Sequence, residues 1–167
     1  MLRLTATNGE STDVVHPSVT TADQSLAMIP INTDVQAGAR QFIFRAPATV
    51  ALQANTPLDW SRETNGELSM VATVRVEQIP AESAVTLTAS CGASCGAEVA
   101  LGRTLSALPR NEWIRLGVPL KCLARSGADM SRLSVPFALR AGKGTILAIT
   151  SVALGTEFDR KVDCLDR

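Results

Sequence analysis

Three carboxylates and an arginine crowd one short stretch of this chain: Asp59, Arg62, Glu63 and Glu67. Two carboxyl groups facing each other across a sugar ring are the machinery of glycoside hydrolysis. The same residue types at these spacings also make a salt-bridged, solvated loop, with Arg62 and Glu63 pairing locally or across a domain interface. That plainer reading is the expected one, because no partner constellation accompanies the cluster. Nucleophilic catalysis by a hydroxyl or thiol needs a base within hydrogen-bond reach. The one histidine, His16, sits in a polar N-terminal stretch beside Pro17. No catalytic residue is assigned.

The four cysteines have the wrong layout for zinc. Three residues separate Cys91 from Cys95, while Cys122 and Cys164 stand alone with no nearby histidine. A local Cys91–Cys95 disulfide fits better, because Gly92 and Gly96 let the backbone turn sharply enough to bring the two Cβ atoms within bonding range. So short a loop contributes only about 2 kcal/mol on the chain-entropy relation, so it pins a loop rather than holding up the fold. Cys122 and Cys164 stay open between a second bridge and two unrelated thiols, one buried and one free. The sequence asks for no metal or cofactor, and a structural calcium has no support in it.

Sugar binding on a β-sandwich draws on exposed aromatic faces. The chain has two tryptophans and no tyrosine. Trp113 heads an alternating strand and is expected in the core or at its rim. Trp60, inside the charged stretch, is the better platform candidate.

The frame that must hold these residues is all-β. From Glu67 to Glu77 the chain alternates, with Leu68, Met70, Ala72, Val74 and Val76 to one face and Ser69, Thr73, Arg75 and Glu77 to the other. Period two over this length predicts a long, half-buried central strand entered through a turn at Asn65-Gly66. Further strands are expected over 2–6, 25–31, 40–45, 48–54, 84–90, 98–102, 112–120, 135–140 and 144–154, the last apolar on both faces. Pro30 marks an edge and Pro119 a strand end. Residues 7–24 read as a long loop or linker, 105–109 as a plain connection, and 121–133 holds the one expected helical turn. Many short strands with turns between them make a β-sandwich, with a jelly roll the expected version.

Charge balances at 16 basic and 16 acidic residues, which leaves no electrostatic footprint for nucleic acid. No apolar run approaches the roughly 20 residues of a membrane-spanning helix. Met1 to Thr5 lack a signal-peptide core, yet the paired cysteines suit an oxidising compartment. We therefore expect a piece of a secreted or periplasmic protein whose signal lies upstream.

Several segments together resemble a known family. They are Asp34-Val35-Gln36, Asp59 through Leu68, Cys91 through Gly96, Glu112-Trp113 through Leu123, Gly127 through Ser131, and Val135 through Leu139. In order and spacing this is similar to the C-terminal, galactose-binding-like domain of bacterial family 3 exo-1,3/1,4-β-glucosidases (glucan glucohydrolases), from about Ile29 to Leu154. The resemblance implies a non-catalytic accessory domain. Its partners would be the catalytic barrel and sandwich domains of the same polypeptide, and β-glucan oligosaccharides. It also implies that a loop reaches the rim of the substrate pocket. The matching residues are Asp34 and Gln36, whose amide could bond sugar hydroxyls; as a plain surface residue Gln36 would do nothing of the kind. The family pattern continues with acidic residues where this chain has Ala37-Gly38. Trp60 completes the expected rim set. The expectation is thus one β-sandwich domain over 1–167, with an N-terminal strand and linker to 28, a core over 29–154 and a tail over 155–167. An autonomous β-glucan-binding module is the alternative.

Overall fold

The computed structural model describes residues 1–16, 18–31, 38–81 and 84–164. Among them the strands form two sheets. The first has the spatial order β2 (Ser11–Asp13), β1 (Leu2–Thr5), β6 (Ala48–Leu52), β11 (Val135–Ala141), β8 (Thr86–Gly92), β9 (Cys95–Ala100). The second runs β13 (Arg160–Lys161), β10 (Trp113–Pro119), β7 (Ser69–Gln78), β12 (Ile146–Gly155), β5 (Ala39–Phe44), β4 (Leu26–Ile31), β3 (Val19–Thr20). The β10–β13 pair is parallel and the other pairs are antiparallel. The chain changes sheet repeatedly, as the expected β-sandwich requires.

Strand β7 shows why the alternation matters. Met70, Ala72, Val74 and Val76 are buried between the sheets, while Thr73, Arg75 and Glu77 lie on the outer face. Against them pack Leu4, Val50, Leu87 and Leu139 of the first sheet and Phe42, Phe44, Leu116 and Leu147 of the second, in one apolar core. Pro30 sits where β4 runs past β3, which pairs only with Ala27 and Met28, so the missing N–H falls at a free edge.

The last long strand departs from expectation. Only Leu147 and Ala148 of β12 are buried, and Ser151 and Ala153 are exposed. A register shift between Ile149 and Ser151 explains the apolar sequence. The extra residue there changes the strand's parity, so Ile149, Val152 and Leu154 all pair with inward-facing β7 residues (Val74, Ala72 and Met70) despite their odd spacing. What looked like a strand buried on both faces is a bulged strand with one apolar face.

Two short helices were not foreseen. Residues 59–66 are not a loop: Ser61–Asn65 form α1, whose entry is fixed by the Asp59 carboxylate accepting from the Ser61 N–H at 3.0 Å. The positive φ also lies further on, at Glu67 (63°), with Gly66 at −76°. The other is α2 (Gly102–Ser106), which runs from the end of the strand expected over 98–102 into the connection expected over 105–109. The expected helical turn is α3 (Leu120–Ser126), which buries Leu120, Cys122 and Leu123 and ends at Gly127, φ 121°.

Both ends are woven into the sheets. Within 7–24, β2 and β3 add strands to the two sheet edges. Beyond 154, β13 lies beside β10, Val162 is fully buried, and Cys164 is bonded to Cys122 with Cα atoms 5.2 Å apart.

Before β4 the turn Thr21–Ser25 is closed by Asp23. Hydrogen bonds from the Ser25 hydroxyl and then its backbone N–H lower the Asp23 carboxyl from its ordinary 3.8 to about 2. A folded-state pKa below the unfolded one adds stability above 3.8 that fades as the pH falls through 2. The thermal-midpoint advantage of the wild type over Asp23→Asn should therefore shrink across that window. An advantage that is unchanged from neutral pH to below 2 would contradict this.

Candidate functional site

The solvent face of the seven-stranded sheet carries an organised row. The register aligns Trp113 of β10, Arg75 of β7, Ala148 of β12, Gln41 of β5 and Ile29 of β4. The Arg75 guanidinium stands 5.2 Å from the Trp113 ring centroid. It also pairs with Glu77 at 2.9 Å, and the Glu77 carboxylate accepts from the Gln41 amide across β12. Glu77 therefore reaches over Ala148, which is fully covered although it points away from the core. The Arg75 and Glu77 side chains are only 18% and 21% exposed. Beside this row, Ser151 and Thr73 bond through their hydroxyls at 3.2 Å.

A cleft of about 700 Å³ opens at one end of the same face, lined by Glu67, Lys121, Arg125, Phe158, Lys161 and Asp163 among others. Its floor depends on one glycine: a Cβ on Gly117 would fall 2.5 Å from the Phe158 ring. Asp159 holds the C-terminal segment there, accepting from the Arg115 backbone N–H at 2.8 Å and from its guanidinium at 3.2 Å. These bonds, that from the backbone foremost, hold the Asp159 carboxyl below its ordinary range.

The carboxylate cluster does not converge. Glu67 pairs with Lys121 at 2.7 Å, Asp59 is engaged at the start of α1, and no ion pair joins Arg62 to Glu63 among the described residues. One Glu63 oxygen is buried without a partner among the described residues. His16 is exposed. Cys91 and Cys95 are bonded, Cα atoms 4.9 Å apart, at the tip of the β8–β9 hairpin. Trp60 is half-buried against the core; its backbone N–H donates to the Met130 carbonyl at 2.6 Å, and its backbone carbonyl accepts from the Thr64 hydroxyl at 2.7 Å. Asp34 and Gln36 lie outside the described residues, between the end of β4 and the start of β5. No group of three His, Cys, Asp or Glu is placed to hold a metal ion among the described residues.

The outer-face residues Arg75, Glu77 and Gln41 escaped the sequence reading. Their signal was present: alternation put two of them on the polar side of a central strand, but the cross-strand partner 36 residues away was invisible.

The two-sheet sandwich agrees with the family comparison. A galactose-binding domain-like family model, Exop_C, matches residues 2–154. The chain belongs to the Exop_C family. Among solved structures, this Exop_C domain is similar to the extra C-terminal domain (X) of the exo-1,3/1,4-β-glucanase ExoP from a Pseudoalteromonas species, with TM-score 0.74 and 21% identity over 92% of this chain and 84% of that one. Against the longer ExoP chain the values are TM-score 0.75 and 22% identity over 93% of this chain, which spans 19% of the other. A family 30 carbohydrate-binding module is similar at TM-score 0.53 and 13% identity, over 96% of this chain and 84% of that module. No curated protein sequence matches the chain.

Proposed function

We propose that this Exop_C domain is a non-catalytic C-terminal accessory domain of a family 3 exo-β-glucosidase or β-glucanase. It supports the catalytic domains of its own polypeptide and lends the loop carrying Asp34 and Gln36 to the rim of the glucan pocket. The observation that carries this reading is the family match, together with a fold shared along nearly the whole chain with the domain described as extra and C-terminal in ExoP. Two disulfides support a secreted or periplasmic setting.

Gln36→Ala in the full-length enzyme should slow turnover of glucan oligosaccharides more than hydrolysis of aryl monoglucosides, since only the longer substrate reaches a rim. Equal effects on both would count against the rim role. Release of nitrophenol from an aryl glucoside by this chain alone would overturn the accessory reading. The alternative, an autonomous carbohydrate-binding module, is favoured by one feature, the aromatic and polar row on the open sheet face.

A further inference from the structure

We infer that the outer face of the seven-stranded sheet is a binding surface for a neutral glycan chain, with Trp113 as its aromatic end. On the accessory-domain reading above, on which the choice of sugar rests, that chain is a β-glucan.

The argument begins with a cost. An arginine–glutamate pair with four-fifths of its side-chain surface covered returns little net stability, because desolvation offsets the attraction. Such a pair is expected in an interface, not on an outward sheet face. Here it is fixed from both sides, by the Trp113 ring on β10 and the Gln41 amide on β5. Ala148, the small residue of the row, lets Glu77 lie across the sheet instead of standing up from it. The result is a low surface with its side chains already held before any ligand arrives.

Its chemistry selects the ligand. A sugar presents apolar C–H faces and a rim of hydroxyls that both donate and accept. Trp113 offers an aromatic surface for the former. Arg75 offers donors, Glu77 acceptors, and Gln41 both, with the Thr73 and Ser151 hydroxyls beside them. The two charges cancel, so the row has no preference for an ionic ligand. At about 4.8 Å per strand, the steps from Trp113 to Gln41 span about 14 Å, a length suited to a short run of sugar units lying across the strands.

The test is calorimetric titration of this chain with laminarihexaose and cellohexaose, with circular dichroism as a fold check. Saturable binding by the wild type is expected, weakened tenfold or more in Trp113→Ala and in Gln41→Ala and unchanged in Trp60→Phe. Trp113→Phe, which keeps a ring, should retain most of the affinity if the alanine variant fails to fold. Absence of wild-type binding, or equal affinity in folded Trp113→Ala and Gln41→Ala, would overturn the surface. Should binding be absent while the Gln36→Ala effect on turnover persists, the surface falls and the accessory role stands. Binding without that effect removes the rim role and leaves the surface.

Discussion

Replacing Cys164 by serine is expected to destabilise the domain by about 4 kcal/mol, twice the cost of replacing Cys95. The difference follows from loop length. Cys122 and Cys164 are 42 residues apart and Cys91 and Cys95 only 4, and the entropy removed from the unfolded chain grows with the logarithm of the closed loop. For a domain of this size each kcal/mol moves the thermal midpoint by about 2–4 °C, so the longer bridge should be worth about 8–16 °C. The site sharpens the expectation. Cys122 is buried in α3, and Cys164 follows Val162, which is fully buried, and β13. Losing the bond frees a segment that otherwise adds a strand and lines the cleft with Phe158, Lys161 and Asp163. Differential scanning calorimetry of Cys164→Ser and Cys95→Ser decides it. Equal losses would mean that the C-terminal segment is held by its other contacts alone.

That segment also shows where the sequence was legible. Strand β7 could be read because a single face is buried for ten residues, so the period survives in the residues themselves. The β-sandwich followed from counting such strands. Residues 155–164 could not be read, because everything that orders them is distant in sequence: Cys122, the Arg115 backbone, and the absent side chain of Gly117. The β12 bulge misled for a related reason. Its inward residues change parity midway, and to a one-dimensional pattern this looks like burial on both faces. Helix α1 is five residues long, too short for any helical period to show.

The candidate site divides in the same way. Residue type singled out the two tryptophans, but only the fold separates them. Trp60 spends its ring on the core and its backbone on Met130 and Thr64, while Trp113 is directed outward by register opposite Arg75. Arg75, Glu77 and Gln41 acquire a joint role only when three strands lie side by side. Polar alternation marks a solvent face, and cross-strand register alone shows which of its members meet.

Truncating Phe44 to alanine is expected to cost about 3–5 kcal/mol, whereas truncating Phe158 should cost about 1 kcal/mol. Phe44 is 1% exposed in the main core, and both of its backbone groups are committed, its N–H to the Thr145 carbonyl at 2.9 Å and its carbonyl to the Gly144 N–H at 2.8 Å. The strand holding it cannot move in to fill the void, so the cavity persists and its contacts are lost outright. Phe158 is half-buried and rests on Gly117 at the sheet's outer surface, where water can take the place of the ring. Urea denaturation separates the two: the midpoint should fall sharply in Phe44→Ala and slightly in Phe158→Ala, with the slope unchanged in both. Comparable losses would show that the Phe158 ring is held as firmly as the core side chains, and that the cleft it lines is as rigid as the sandwich beneath it.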